Sequence, residues 1–366
     1  DDSPLRNVIV TGANRGLGFA IADRMLDIGG YRVVLACRSQ QEGEAALERL
    51  RVKQQQQQQQ QQQGHHGTLP TTVLASVHPL DVSCPRSLES FRENCVHGHL
   101  GGRVDILFNN AGVCLAEDGK NGTKTRSTVA TAAGILRETF AVNFFGALGV
   151  AEACMPALVS AGTTPTAVEA GIATTAGKSY FAAVAMPLTP PTVVWISSGE
   201  GELCFLGAKW RRLLANAASL EEIISHMSQL LASASASEKN ANGNSSRDSA
   251  GEQQEEGEEM AFGPTPAYSL SKAAANAAVR TWAPRLLRPA TAPTSGSSTG
   301  SVVAGVRLVA VCPGDVLTRM TSAEELTRGG VVSAEEAAAA VVKIALGSAH
   351  EFPAGKFYRH CEEIGW

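Results

Sequence analysis

Thr11-Gly12-Ala13-Asn14-Arg15-Gly16-Leu17-Gly18 decides the reading of this chain. An apolar run, residues 7–11, leads into it and an amphipathic stretch, residues 16–28, leads out. Glycines here let the backbone turn tightly and approach an anion, while a helix start behind them supplies N–H groups and the positive end of a dipole. Glycine is common in the chain, 36 of 366 residues, so the spacing alone carries little. Its place between a strand and a helix is what makes it a cradle for a dinucleotide pyrophosphate.

Working outward, apolar runs rich in β-branched residues at 7–11, 31–37, 72–78, 104–109, 192–197 and 306–311 read as strands. Stretches with apolar residues at three-and-four spacing separate them: 16–28, 40–53, 86–96, 136–158, 267–287 and 334–346 read as helices. Strands apolar on both faces and joined by helices make a parallel sheet covered on both sides. Right-handed crossovers then give a doubly wound fold whose ligand site lies at the carboxyl ends of the strands.

Four segments break the rhythm by composition: 54–70, which holds the polyglutamine run Gln54 to Gln63, and 160–191, 233–263 and 289–304. They cannot bury enough apolar surface to offset their ordering entropy, so they read as surface insertions within one domain spanning 1–366. Leu, Ile and Met at helical spacing predict an added helical segment over about 205–232.

Apolar residues make up 44% of the chain and the formal net charge is −4, which gives no basic field for nucleic acid. No apolar run reaches the roughly 20 residues of a membrane span. The eight cysteines never fall within four positions of one another, so no metal knuckle is present and no metal is expected. Several, such as Cys37 and Cys312, sit inside apolar strand-like runs and read as small buried hydrophobes in a reducing, cytoplasmic setting. The chain does not begin with Met, which leaves organellar import open.

The glycine turn is Gly-x-x-x-Gly-x-Gly and resembles the TGxxxGxG motif of the short-chain dehydrogenase/reductase family. The same resemblance runs along nearly the whole chain, in the family's order: Asp81, then Asn109-Asn110-Ala111-Gly112, Asn143, Ser198, Tyr268 with Lys272, and Pro313-Gly314 with Thr318. It implies a single Rossmann-type α/β sheet of about seven parallel strands in the order 3-2-1-4-5-6-7, helices on both faces, and a long insertion before the tyrosine. It also implies a catalytic set of Asn143, Ser198, Tyr268 and Lys272. The cofactor-binding set comprises Gly12, Asn14, Arg15, Gly16, Leu17, Gly18, Arg38, Asp81, Val82, Asn110, Ala111, Gly112, Tyr268, Lys272, Pro313, Gly314, Val316 and Thr318.

The residue types fit that chemistry. Hydride addition to a carbonyl carbon leaves an alkoxide-like oxygen that needs a proton and a hydrogen-bond donor. Tyr268 and Lys272 stand four residues apart on one helix face, whereas Tyr31, Tyr180 and Tyr358 have no such partner. Bringing a phenol from about 10 to neutrality takes roughly 4 kcal/mol of differential stabilisation, which a nearby ammonium is expected to supply. Ser197 and Ser198 are chemically identical; the resemblance selects Ser198 as donor to the substrate oxygen. It further assigns Asp81 and Val82 to the adenine, Lys272 to the nicotinamide ribose, Asn143 to a water beside the lysine, and Val316 and Thr318 to the carboxamide.

The second strand ends Leu35-Ala36-Cys37-Arg38 with no acidic residue for a ribose 2′-hydroxyl. Arg38 and Arg15 suit a 2′-phosphate instead, so the expected cofactor is NADPH/NADP+. The insertion after Ser198, together with Asn143-Phe144-Phe145-Gly146 and the ending Gly355 to Trp366, looks like the monomeric carbonyl reductases. The expected activity is therefore reduction of a ketone, aldehyde or quinone by a monomer. An alcohol dehydrogenase of retinoid, steroid or terpenoid type and a non-catalytic NADPH-binding regulator are the alternatives.

Overall fold

Successive residues of each strand enter opposite layers, and this alternation builds the molecule. In the computed structural model Val8 and Val10 join one apolar cluster and Ile9 the other; Val33 and Leu35 oppose Val34 and Ala36, and Val309 and Val311 oppose Leu308 and Ala310. The structure describes residues 5–62, 73–115, 131–162, 190–243, 265–287, 305–317 and 330–366.

The strands are β1 (Arg6–Thr11), β2 (Tyr31–Cys37), β3 (Ala75–Pro79), β4 (Ile106–Asn109), β5 (Thr192–Ile196), β6 (Arg307–Cys312), β7 (Phe357–Arg359) and β8 (Glu362–Glu363). They form one sheet in the order β3-β2-β1-β4-β5-β6-β7-β8. Every pairing is parallel up to β7, with Val8 opposite both Val33 and Ile106, and only β8 runs antiparallel. The expected order is thus observed, with one short hairpin strand added at the edge. Its turn is made by His360 and Cys361, both at positive φ (51° and 66°).

Helices α1 (Gly16–Ile28), α2 (Gln40–Gln62) and α9 (Ala334–Leu346) cover one face. The other carries α3 (Pro85–Phe91), α4 (Ala132–Phe140), α5 (Ala147–Gly162), α6 (Ala208–Asn216), α7 (Leu220–Gly243) and α8 (Pro266–Leu286). A π-helical turn, Ala141–Gly146, joins α4 to α5, and another, Arg92–His99, follows α3. Such turns insert a residue into the helical ladder and recur at functional sites. The continuous run Ala132–Gly162 is 31 residues long and apolar enough to cross a membrane by length and composition, contrary to the sequence expectation. Its apolar side chains, Phe140, Phe144, Leu148 and Val150 among them, lie in the core beside the sheet, which accounts for their character.

Two expectations for the insertions need correction. The polyglutamine run does not leave the helix as a loop: α2 continues through Gln62, because glutamine is a good helix former and the turns before it are already wound. The added segment is two helices, broken near Ser219, whose hydroxyl accepts the Glu222 N–H (3.2 Å) while the Glu222 carboxylate accepts the Ala218 N–H (2.8 Å). The second of these helices runs on through residues 233–243, which composition assigned to a loop. Residues 160–162 end α5 and 190–191 lead into β5; the remainder of the four segments lies outside the described residues.

Arg307, at the start of β6, is fully buried and donates to the Thr192 hydroxyl (3.2 Å) and to the carbonyls of Ile344 (3.0 Å), Ala345 (2.5 Å) and Phe352 (3.3 Å). Burial pushes its guanidinium down to about 10. It closes the last turn of α9, where free carbonyls favour a cation. Arg307→Ala would leave these acceptors dry, and the expected loss, measured by urea unfolding, is about 3 kcal/mol or more.

Candidate active site

The glycine turn meets the end of β4 at the carboxyl edge of the sheet. Thr11 Oγ1 accepts the N–H groups of Asn110 and Ala111, each at 2.9 Å, and Asn110 Nδ2 returns a bond to the Thr11 carbonyl at 2.8 Å. Gly18 is packed so closely that a Cβ there would lie 2.5 Å from Asn110 Nδ2 and from the Gly12 carbonyl oxygen. Gly12 itself sits at φ +67°, open to glycine and strained for other residues. Behind the turn Leu17 is buried, and α1 begins after Arg15 with no side chain capping its first N–H groups and no acid in its first turn. That donor set fits a pyrophosphate.

Arg15 and Arg38 are both exposed on adjacent strand ends, where the Gly12 N–H bonds the Ala36 carbonyl at 2.8 Å. Asn14 spends its side chain on Glu42 (2.7 Å) and its carbonyl on Arg49 (2.6 Å). Arg49, which sequence reasoning did not single out, also stacks over the Phe19 ring at 4.3 Å and braces the turn from α2. Asp81 accepts from the Ser83 N–H (3.0 Å) and hydroxyl (2.7 Å), forming a local turn rather than capping α3, and Val82 beside it is buried.

Asn143 stands in the π turn and is fully clamped. Its Oδ1 accepts the Val113 N–H at 2.8 Å, while Nδ2 donates to the Val113 carbonyl (2.8 Å) and to Ser271 Oγ (3.1 Å). A Cβ on Gly112 would come within 3.3 Å of Asn143 Oδ1 and 3.5 Å of Lys272 Nζ, so these three positions converge. Lys272 Nζ donates to the Ile196 carbonyl at 2.9 Å and lies 5.5 Å from the centre of the Tyr268 ring. The Ser198 hydroxyl lies beside the Tyr268 phenol and acts to hold its pKa down. Ser197 turns inward instead and donates to Asn276 Oδ1 at 2.6 Å, so Ser198 is the serine at the tyrosine.

The charges do not sit as sequence reasoning expects. Burial pushes Lys272 down to about 8, and the Tyr268 phenol lies above its ordinary range, first because of burial and then because of Cys114, with the Ser198 hydroxyl acting the other way. Lys272 is not among the main influences on the phenol, and its ammonium donates to the Ile196 carbonyl.

Pro313 and Gly314 follow β6, with Gly314 at φ +82° and the His360 ring 3.1 Å from where its Cβ would be. Val316 pairs with Val332 across this loop. Thr318 lies outside the described residues. Sequence reasoning missed Asn276, which donates to the Gly201 carbonyl (3.1 Å) besides accepting from Ser197, and so ties the segment after β5 to α8. The available signal was a lone Asn in the buried alanine run that follows Lys272.

A glycine-lined cradle beside a half-buried Ser198 and Tyr268 backed by the buried Lys272 and Asn143, both at the carboxyl ends of a doubly wound sheet, defines an oxidoreductase that acts on CH–OH and C=O groups with a nicotinamide cofactor. The sequence profile described as short chain dehydrogenase matches residues 6–183. The chain belongs to the short-chain dehydrogenase/reductase family. It is similar to (+)-neomenthol dehydrogenase of Arabidopsis thaliana, at 27% identity over 96% of this chain and 95% of that protein. A shorter match, 28% identical over 40% of this chain and 43% of the relative, is to NADPH carbonyl reductase 1 of Mus musculus. Among solved structures, salutaridine reductase of Papaver somniferum shares the fold with a TM-score of 0.60 at 24% identity, covering 96% of this chain and 99% of that one.

Proposed function

We propose that this protein reduces a ketone, aldehyde or quinone to an alcohol, with NADPH as hydride donor and Tyr268 as proton donor. The observation that carries the reading is the meeting of Ser198 and Tyr268 beside a buried Lys272, next to the glycine cradle. When bound, the nicotinamide supplies the hydride. The chain's own residues do the rest. Ser198 gives a hydrogen bond to the carbonyl oxygen, and the Tyr268 hydroxyl delivers a proton to that oxygen as charge gathers on it. A phenol held above its ordinary range keeps its proton until the oxygen demands it. Asn143, pinned by Val113 and Ser271, fixes the wall next to Lys272.

NADPH over NADH is the reading that Arg15 and Arg38 favour, since two guanidinium groups without a carboxylate at the end of β2 suit a 2′-phosphate. Replacing both arginines by Ala is expected to raise KM for NADPH by about tenfold or more while leaving that for NADH nearly unchanged. Equal effects on the two cofactors would overturn the assignment.

A monomer is the favoured state. Helix α7 lies along α4 and α8, with Glu238 accepting from Thr131 (2.5 Å) and pairing with Arg137 (2.8 Å), so it covers faces a partner subunit would need. None of the eight cysteines is in a disulfide, in keeping with a cytoplasmic setting.

The nearly full-length similarity to a neomenthol dehydrogenase favours a second reading, oxidation of a terpenoid alcohol by the same residues running in reverse. Following the nicotinamide absorbance with quinones, aromatic aldehydes, cyclic ketones and ketosteroids, and with neomenthol plus NADP+, separates the two. Faster turnover of neomenthol than of every carbonyl would favour the second.

A further inference from the structure

Between Ser198 and α8 lies a short turn whose acidic residue the chemistry above leaves unused. Glu200 belongs to the 3-10 turn Gly199–Gly201 directly after the serine. Its backbone N–H donates to Ser198 Oγ at 3.2 Å, which occupies the serine's acceptor side and leaves the hydroxyl proton for the oxygen opposite. Its carboxylate reaches α8 on either side of the tyrosine: Oε2 accepts from Thr265 Oγ1 at 2.5 Å and from Ser269 Oγ at 2.8 Å. Both hydroxyl residues are buried, and Thr265 immediately precedes the helix without capping it, its hydroxyl being given to Glu200 instead.

The turn is seated tightly. A Cβ on Gly201 would lie 2.9 Å from the Lys272 carbonyl carbon, and Asn276 holds the Gly201 carbonyl one helical turn further on. Glu200 therefore joins the serine's loop and the tyrosine's helix at the point where the two catalytic hydroxyls meet.

We propose that Glu200 is a positioning residue for the Ser198–Tyr268 pair, tying the serine's loop to the tyrosine's helix, and that its negative charge keeps the phenol able to act as an acid to higher pH. The inference rests on Tyr268 acting as the proton donor. Three hydroxyl or amide contacts could equally be made by a glutamine, so the case for charge rests on what else surrounds the site. Among the described residues no cation forms an ion pair with Glu200, whereas its neighbour Glu202 is paired with Arg359 at 2.5 Å. A carboxylate with no cation against it disfavours a second negative charge on a neighbouring group. The other groups facing the phenol are Cys114 after β4, Cys312 at the end of β6, Ser198 after β5 and Lys272 on its own helix. After burial and Cys114, the Glu200 carboxylate is among the influences that hold the Tyr268 phenol high.

The test is the pH dependence of kcat/KM for NADPH-dependent reduction, with the fastest carbonyl of a panel holding an aromatic aldehyde, a quinone and a cyclic ketone. Glu200→Gln keeps an acceptor oxygen for Thr265 and Ser269 but removes the charge. Its alkaline limb is expected to fall about one pH unit below that of the unsubstituted enzyme. Ser269→Ala removes one anchor and keeps the charge, so kcat is expected to drop severalfold with the limb unmoved. A Glu200→Gln profile that superimposes on the original, or a Ser269→Ala profile that shifts as Glu200→Gln does, would overturn the proposal. Tyr268→Phe distinguishes the two levels: retained turnover sinks the functional reading itself, while loss of turnover with an unmoved Glu200→Gln limb sinks only the role of Glu200.

Discussion

Tyr268→Phe is expected to lower kcat for carbonyl reduction by about a thousandfold, with the fold and nucleotide binding intact. A positioned acid contributes on the order of 10²–10⁴ in rate, and Tyr268 is the acidic side chain beside the Ser198 hydroxyl. The ring itself is retained, so its packing is undisturbed. Removing the hydroxyl of a half-buried tyrosine costs little, and the melting temperature is expected to change by no more than a few degrees. Nucleotide binding, followed by quenching of tryptophan fluorescence, is expected to stay within about threefold, since the cradle at Gly12 to Gly18 does not touch this hydroxyl.

Lys272→Met is the second large effect, and it moves activity and stability in opposite directions. Lys272 is 4% exposed and its ammonium is pushed from an ordinary 10.5 down to about 8 by burial. Below about pH 8 the folded protein carries the whole burial penalty of the charge, on the order of 3 kcal/mol, and the penalty fades as pH rises toward 10.5, where the unfolded chain also loses the proton. Methionine has similar length and no charge. It leaves the Ile196 carbonyl without its donor, which takes back about 1 kcal/mol. The expected outcome is a net gain of about 1–2 kcal/mol at pH 7, measured by urea unfolding, that shrinks between pH 8 and 10.5, together with a loss of at least a hundredfold in kcat/KM. Loss of stability at pH 7 would mean that the buried ammonium is held by the fold at a profit.

Much of the scaffold was legible because its physics is local and periodic. The strand 31–37 and the helices 16–28 and 334–346 appear with the boundaries that hydrophobic spacing predicts, and the sheet order follows from right-handed crossovers between them. Three misses share a different cause. The glutamine run stays helical although nothing apolar marks it, because propensity and an existing helix suffice there. The strands β7 and β8 are too short to show a period, and their turn uses His360 and Cys361 where glycine or asparagine would have signalled it. The π turn that aims Asn143 leaves no mark in the spacing of apolar residues.

At the site, residue identities were legible while their neighbours were not. Thr11, Gly12, Gly18, Asn110, Ser198, Tyr268 and Lys272 converge at the strand ends, but the partners that hold them, Arg49, Glu200 and Asn276, come from elements where a lone polar residue reads as surface. The direction of the charges was the least accessible. Four-residue spacing brings Lys272 near Tyr268, yet only the three-dimensional structure directs the ammonium to the Ile196 carbonyl and encloses the phenol.

The most direct test of the account follows absorbance of the reduced nicotinamide while the purified full-length chain is mixed with NADPH and the carbonyl panel, beside the Tyr268→Phe variant. The account predicts substrate-dependent loss of NADPH with at least one quinone, aldehyde or ketone, and no such loss with the variant. Tight NADPH binding without turnover of any panel member or of neomenthol, or equal turnover by the variant, would contradict it.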